Sequence, residues 1–309
     1  MPPHCAQAHQ KSTIDRTHSI FRAFAVLSGL SPALAAMLAE RLFMTSLRSR
    51  PPGRESAWAA SARREEVLSS HGVLPVWVWG DGPRTVVLVH GWAGRGLQLG
   101  ALAAPLVAAG FRVVSYDAPA HGLAPGRWSN LFRHTDGLTA VADAYGPLTG
   151  VVAHSLGCAA VLLAAARNDV IADRLVLFAP AAHTTTLTDW FGLMSGFSQS
   201  VVERMRRRLE RRFDFKWADV EPWRLAAEFD GSCLIVHDRH DHEIPWDEGH
   251  GVSRSLPHAH LVTTNGLGHR RILRDPRAVD AATDFLAGKG QFITDLSTVF
   301  QKSQTQTAA

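Results

Sequence analysis

The sequence has few cysteines and no signal-peptide pattern. Its three cysteines, Cys5, Cys158 and Cys233, are scattered and lack the spacing of a disulfide framework. This favours a reducing compartment and argues against a disulfide-stapled secreted protein. The first apolar stretch begins near Ile20, after a mixed polar segment, and no small-residue cleavage site follows a compact apolar core. We therefore expect a cytoplasmic protein.

Long uninterrupted apolar runs are also missing. The segment Ala23–Ala39 is uncharged, but it is shorter than the roughly 20 apolar residues that a membrane span needs. Ser31-Pro32 interrupts it and is typical of an N-cap followed by proline at the first helical position. The pattern predicts two helices, over 16–29 and 31–47. They either pack on the main domain or contact a membrane surface, and the sequence leaves both open.

Motifs of nucleic-acid recognition are absent, although the chain is basic. The net charge is +4 and the sequence pI is about 9.3. Much of the excess is local, since Arg204–Lys216 holds seven basic residues against two acids. A basic face interleaved with aromatic residues or a known reading motif would indicate nucleic acid. Neither is present, so we expect no nucleic-acid partner, and the oligomeric state stays open.

The chain is long enough for one large α/β domain with additions, with 309 residues of which 46% are hydrophobic. From Thr85 onward, short β-branched runs alternate with helical stretches over 97–109, 131–145, 156–167 and 247–256. This alternation predicts a mostly parallel sheet with helices on both faces. Two runs either side of "GDGP" predict an antiparallel hairpin. The predicted strands are Pro75–Trp79, Thr85–His90, Phe111–Asp117, Gly150–Ser155, Arg174–Pro180, Ser232–Asp238 and Ala259–Thr264.

The interval His183–Gly231 contains no convincing strand and is too long for a simple connection. It predicts a helical cap inserted between two strands. The predicted organisation is an N-terminal helical extension and linker over 1–66, with the linker at "SRPPGRES", a core over 67–182 and 231–290, a cap over 183–230 and a flexible tail over 291–309.

The most informative stretch is "VVAHSLGCAA", in which a buried strand ends at Ser155 and a helix of small residues follows. This is the pattern of a nucleophile elbow, G-x-S-x-G, with Ala153 in place of the first glycine. The positions two before and two after the serine must be small because the strained turn brings them close to neighbouring strands. The strand–turn–helix context favours Ser155 as a nucleophile.

Two further motifs stand where such a serine needs partners. "VLVHGWAGRG" follows a strand and matches an H-G-x oxyanion loop, which would offer the backbone N–H of Trp92 beside that of Leu156. "GLGHRRILRD" places His269 in a glycine-rich loop after the last strand. His154 adjoins the serine but is expected to point elsewhere.

With these motifs the chain resembles the α/β-hydrolase superfamily from about Val73 to Leu286, and more narrowly a bacterial group with an HGW oxyanion loop and a GLGHRRILRD histidine loop. The resemblance implies the chain order serine, acid, histidine. The family's H-G-x-x-D-x-x-V-P stretch matches "HDRHDHEIP", which makes Asp241 the acid and Asp238 the alternative.

The histidine-rich "HDRHDH" also raises a metal site as an alternative. The metallo-β-lactamase pattern H-x-H-x-D-H would need a histidine where Arg239 stands, and it would leave the serine elbow unexplained. We therefore expect no metal and no cofactor.

The implied activity is that of a serine hydrolase that cleaves a carboxylic ester of a small-molecule acyl substrate. Thioesterase, amidase or acyltransferase chemistry with the same triad stays open, as does a non-catalytic binding protein on this fold. Four apolar residues of the predicted cap, Trp190, Phe191, Met194 and Phe197, either line an acyl pocket or only anchor the cap.

Overall fold

The computed structural model describes residues 24, 26 and 28–289. Contacts within the chain group its residues into two compact units. The first, called the cap unit here, comprises Met1–Thr45 and Thr184–Asp219, and the second, the core unit, comprises Ser46–His183 and Val220–Ala309. The domain boundaries predicted above stay predictions. The predicted helix over 16–29 lies largely outside the described residues, and the predicted tail over 291–309 lies wholly outside them.

The elements of the core unit alternate along the chain as the sequence predicts. Its strands are β1 (Arg63–Ser69), β2 (Gly72–Trp79), β3 (Arg84–Val89), β4 (Phe111–Tyr116), β5 (Leu148–His154), β6 (Ala172–Phe178), β7 (Ser232–Asp238) and β8 (Ala259–Thr264). The helices from Pro32 onward, numbered in order, are α1 (Pro32–Phe43), α2 (Gly53–Ala60), α3 (Ala103–Ala108), α4 (Leu131–Tyr145), α5 (Leu156–Ala166), α6 (Thr184–Ser195), α7 (Gln199–Phe213), α8 (Pro222–Ala226), α9 (Trp246–Ser255), α10 (Gly268–Arg271) and α11 (Pro276–Leu286). Short 3-10 turns cover Gly96–Leu102, Trp217–Val220 and Ile272–Arg274.

All eight strands form one sheet in the order β1-β2-β4-β3-β5-β6-β7-β8. The pairs from β4 through β8 are parallel, and only β1 and β2 run antiparallel to their neighbours. The central strands are almost wholly buried because helices cover both faces. The strand order reverses direction at β3, between β4 and β5. In open α/β sheets, ligands bind at the carboxyl ends of the strands beside such a reversal.

The predicted hairpin around "GDGP" is wrong. β2 pairs antiparallel with β4, and β3 lies on the far side of β4. The connection between β2 and β3 instead crosses the start of β4, where a Cβ on Gly82 would collide with the carbonyl of Gly110 and one on Gly80 would lie 2.9 Å from the oxygen of Phe111. The glycines serve close backbone approach here, and the sequence alone does not separate that use from a tight turn.

The actual hairpin joins β1 to β2, and β1 was not predicted. Its sequence, "RREEVLS", carries four charged residues because β1 is an edge strand with an exposed face. The predicted linker over Ser49–Ser56 is also partly wrong, since α2 begins at Gly53. Proline at position 52 precedes the first helical residue and does not interrupt it.

The regular elements in the described part of the cap unit are helices. α1 starts after Ser31, as predicted, but ends at Phe43 instead of 47. α7 turns Val201, Val202, Met205 and Leu209 inward and leaves most of its arginines outward. Arg208 and Arg212 pair with Glu40 of α1 at 2.7 Å each. No helix among the described residues combines the length and apolar character that crossing a bilayer requires.

Candidate active site

Ser155 occupies a strained turn between β5 and α5. Its backbone has φ 54° and ψ −122°, a conformation that a residue with a side chain adopts at a cost of about 1–3 kcal/mol. The amide of Ser155 donates to the carbonyl of Phe178 at the end of β6, 3.0 Å away, which holds the turn against the neighbouring strand. Strain maintained by surrounding structure is typical of functional sites and of the nucleophile elbow in particular.

The small residues around the serine are needed for close packing. A Cβ on Gly157 would lie 2.7 Å from the carbonyl oxygen of His90, and a Cβ on Gly91 would lie 2.9 Å from the Cβ of Ser155. Ala153 is fully buried, which agrees with a small residue at that position. The turn therefore sits directly against the loop that follows β3.

That loop aims the peptide between Gly91 and Trp92. The carbonyl of Gly91 accepts from Nδ1–H of His90 at 2.7 Å and from the amide of Gly94 at 3.1 Å. In a trans peptide the C=O and the following N–H point in opposite directions. Fixing the carbonyl of Gly91 consequently fixes the direction of the Trp92 N–H. The second predicted donor, Leu156, is the first residue of α5, so its N–H has no carbonyl partner within the helix.

A buried histidine cluster supports the loop. The amide of Ala118 donates to Nε2 of His90 at 3.0 Å, so His90 carries its proton on Nδ1. His134 of α4 donates from Nε2 to the carbonyl of His90 at 2.8 Å. Ring centroids of His90, His121 and His134 lie 5.0–5.3 Å apart. Burial lowers the pKa of His121 to about 4 and that of His134 to about 3, and it lowers the pKa of His90 well below its usual value. The cluster is therefore neutral at physiological pH.

Sequence reasoning did not identify His121 and His134 as supports of this loop. His121 lies in the loop after β4, and His134 is an isolated histidine in an amphipathic helix. A histidine on the buried face of α4 was the only available indication, and such histidines more often serve packing.

Asp241 and His269 are hydrogen-bonded. Nδ1 of His269 donates to Oδ2 of Asp241 at 2.7 Å, and both side chains are buried. Oδ1 of Asp241 accepts the amides of Glu243 at 2.8 Å and Ile244 at 2.9 Å. Burial raises the pKa of this carboxyl, but hydrogen bonds from His237 and His269 outweigh it and hold the pKa below its usual value. Asp241 is therefore ionised and can orient His269 as a base.

His237, the first residue of "HDRHDHEIP", has a supporting position. Its Nε2–H donates to the carbonyl of Ile244 at 3.0 Å and lies 3.5 Å from Oδ2 of Asp241. A Cβ on Gly249 of α9 would collide with its ring. These contacts close the loop after β7 around the carboxylate.

Asp238 has its carboxylate occupied by loop contacts. It accepts the hydroxyl of Thr264 at 2.7 Å, the amide of Leu267 at 2.9 Å and the amide of His240 at 2.9 Å. Burial raises the pKa of Asp238, but hydrogen bonds from Thr264 and from backbone amides lower it overall. The side chain joins the loops after β7 and β8, whereas Asp241 is the carboxylate that contacts His269.

The dense histidines of the same stretch do not converge. His240 and His242 are exposed, and within the described residues no group of three or more His, Cys, Asp or Glu side chains is placed to hold a metal ion. The predicted metal alternative therefore has no ligand set in this part of the chain.

The predicted pocket residues divide into two pairs within the cap unit. Phe191 packs edge-on against Phe43 with centroids 5.2 Å apart, and Phe197 stacks on Phe24 at 4.7 Å. Trp190 and Met194 are 42% and 52% exposed. The first pair therefore packs within the cap unit itself, and both the anchoring role and the acyl-binding role of these four residues stay predictions.

Comparisons with known proteins identify the family and the fold. The family model described as serine aminopeptidase, S33, matches residues 82–265, well over half of the chain. The esterase Pf2001 of Pyrococcus furiosus is similar in structure, with a TM-score of 0.59 and 14% identity over 78% of this chain and 98% of that one. A bacterial membrane phospholipase A has a TM-score of 0.58 and 16% identity over 90% of this chain and 98% of that one.

A thioesterase domain from the curacin biosynthetic pathway is similar too, with a TM-score of 0.55 and 15% identity over 73% of this chain and 98% of that one. At such identities these structures show the fold alone. A search of curated proteins returns no significant match. From the extent of the family match, the chain belongs to the serine aminopeptidase S33 family and is an α/β-hydrolase.

Proposed function

We propose that the protein is a serine hydrolase of carboxylic esters that uses Ser155, His269 and Asp241 as its triad. The observation that carries the proposal is the 2.7 Å hydrogen bond from His269 to an ionised Asp241, in a core unit whose elbow holds Ser155. A base needs an orienting partner that fixes its tautomer and stabilises its protonated form, and Asp241 supplies both.

The reaction follows from the roles of these groups. Nε2 of His269 takes the proton of Ser155 as Oγ attacks the carbonyl carbon. The N–H groups of Trp92 and Leu156 bind the oxygen that gains negative charge. The tetrahedral intermediate then expels the alcohol, which receives the proton from His269. Water attacks the acyl-serine with His269 as base, and the acid is released with the free serine.

Esters are the first choice of substrate because an alkoxide leaves more readily than an amide nitrogen. The structural likeness to an esterase and to a phospholipase supports testing esters before other acyl compounds. A cytoplasmic location remains part of the proposal, and it is supported by the free, buried thiols of Cys158 and Cys233.

A substrate panel tests the chemical class. The purified protein is assayed with p-nitrophenyl esters from acetyl to octanoyl, the matched acyl thioesters and an aminoacyl p-nitroanilide. We expect the highest kcat/KM on an ester, abolished in the Ser155→Ala variant. Faster turnover of a thioester or of the anilide would contradict the assignment to esters and keep the triad. Equal turnover by the wild type and Ser155→Ala would overturn the triad itself.

A further inference from the structure

His154, the residue before the candidate nucleophile, contacts the candidate base and has no part in the proposed reaction. Its Nε2 lies 2.9 Å from the backbone carbonyl oxygen of His269. The two imidazole rings have centroids 4.6 Å apart and are tilted by 46°. His154 is buried, so this bond is shielded from competing water. The end of β5 and the start of α10, which are 115 positions apart in the chain, are thereby joined at the site.

The protonation of His154 follows from its partner. A carbonyl oxygen can only accept, so the proton of a neutral His154 is on Nε2. Nδ1 is then a bare acceptor, and it makes no hydrogen bond within the described residues. Burial lowers the pKa of His154 well below its usual value, and the proximity of His269 acts in the same direction. The ring is therefore a neutral donor of one defined hydrogen bond.

The hydrogen bond from His154 constrains the position of the His269 backbone, which Asp241 does not. Asp241 fixes the ring of His269 through Nδ1, whereas His154 fixes the backbone from which that ring extends. On the other side, His154 is covalently joined to Ser155, whose amide is held by Phe178 at the end of β6. The nucleophile and the backbone of the base are thus connected through a single side chain.

We propose that His154 is a positioning residue that sets the spacing between Ser155 and His269. This inference rests on the proposed function, because it assumes that these two residues react together. Reacting groups must be held close to their productive geometry, and a misplacement of about 1 Å can cost roughly a hundredfold in rate. His154 touches neither the substrate nor the transferred proton, and its effect is on kcat.

Two substitutions separate positioning from simple packing. His154→Leu keeps an apolar side chain of similar size but removes the donor. His154→Gln keeps an N–H donor near the place of Nε2. We expect the Leu variant to lose about ten- to a hundredfold in kcat with KM changed by less than about twofold. The Gln variant should recover most of the loss, and the rate of fluorophosphonate labelling should follow kcat in both.

His71→Leu serves as a matched control. His71 lies in the turn between β1 and β2 and its Nε2 is 2.7 Å from Asp136, so the variant also removes a histidine hydrogen bond. Its kcat and KM should equal those of the wild type. The unfolding midpoints of all variants, compared with that of the wild type, show whether a loss of activity is caused by unfolding.

A measurement on the wild type covers the case in which His154→Leu does not fold. Nitrogen-15 NMR assigns the tautomer of His154, identified by its missing signal in His154→Gln, and we expect the proton on Nε2 at every pH where the protein is folded. A proton on Nδ1 would overturn the inference. So would a Leu variant with wild-type kcat, or Leu and Gln variants that lose activity equally. A wild type that neither labels nor turns over any substrate would instead overturn the proposed function, and this inference with it.

Discussion

The carboxyl edge of the sheet in the core unit buries polar side chains, whereas the described part of the cap unit exposes apolar ones. At the sheet edge several polar residues are buried among the apolar ones, and they make specific hydrogen bonds. His90, His154, His237, Asp238 and Asp241 all bind backbone groups, and Asp241 also binds His269. Buried polar groups with satisfied partners rigidify a site and specify one arrangement of it.

The cap unit instead leaves apolar side chains exposed. Leu193 is 79% exposed on α6, beside the exposed Trp190 and Met194, and Leu34 and Met37 are exposed on α1. Its ion pairs include those of Arg208 and Arg212 with the buried Glu40 and a more exposed pair, Arg206 with Asp189 at 2.7 Å. Partly exposed pairs of this kind contribute little to stability.

The difference between the two units indicates that they have different functions. The core unit holds the groups of the proposed triad and the buried side chains that support them. The exposed apolar side chains of the cap unit are available for contact with an apolar partner, and we expect their substitution to leave the chemistry unchanged. Variants in the two units should accordingly differ in which kinetic property they change.

Ser155→Ala has the largest expected effect. Loss of the nucleophile should lower kcat on an activated ester by about 10⁶-fold. Its unfolding midpoint should stay within a few degrees of the wild type, because the side chain is partly exposed and the elbow is held by backbone bonds. Stopped-flow and long-time assays measure the rate, and calorimetry checks the fold. Residual activity above about 1% would show that Ser155 at the sheet edge is not the nucleophile.

Asp241→Asn comes next. The amide cannot stabilise a protonated His269 and favours the wrong tautomer, so kcat should fall about 10⁴-fold. Steady-state kinetics at neutral pH measure this. A loss smaller than that of Asp238→Asn would transfer the acid role to Asp238.

Asp238→Asn should reduce kcat by less than about tenfold, or about 1.4 kcal/mol. Its main effect should be on stability. The new NH₂ group replaces an oxygen that accepts hydrogen bonds, so it meets other donors and should lower the free energy of unfolding by about 1–3 kcal/mol. Urea unfolding of the wild type and the variant gives this difference. An Asp238→Asn variant with normal stability and strongly reduced kcat would contradict the structural role of Asp238 in joining the loops after β7 and β8.

Trp190→Ala and Phe197→Ala form a matched pair in the cap unit. If exposed apolar residues bind the acyl chain, each buried CH₂ contributes about 0.8 kcal/mol, or roughly fourfold in kcat/KM. Trp190→Ala should then flatten the rise of kcat/KM from acetyl to octanoyl esters and leave the acetyl rate unchanged. Phe197 is only 6% exposed, so Phe197→Ala should lower the stability of the protein by about 3–5 kcal/mol. An unchanged profile in Trp190→Ala would leave the cap unit without a part in chain-length selection.

Chelation should have the smallest effect. Treatment with EDTA is expected to leave kcat unchanged because no step of the proposed reaction needs a metal ion. A loss of activity that Zn²⁺ restores would contradict the metal-free mechanism and favour a metal site at "HDRHDH".

The sequence predicted the parts of the core unit that local patterns encode. The bounds of α4 agree with the predicted stretch, and α5 begins at the predicted residue, because strong periodicity or small-residue composition defines them. The partner of β2 was mispredicted because glycines at a chain crossing look like glycines in a turn. His134 and the bond from His154 to His269 could not be predicted, since they depend on which distant segments meet. The exposure of Trp190 and the burial of Phe197 likewise depend on tertiary packing, because both are aromatic residues of a segment that the sequence only shows to be helical.

Locating the covalent label of a fluorophosphonate probe tests the central claim most directly. The intact wild type is labelled, digested and sequenced by mass spectrometry, with the Ser155→Ala and His71→Leu variants treated in parallel. The account predicts a single adduct on Ser155, abolished in Ser155→Ala and kept in His71→Leu. An adduct on another residue, or equal labelling of Ser155→Ala, would contradict it.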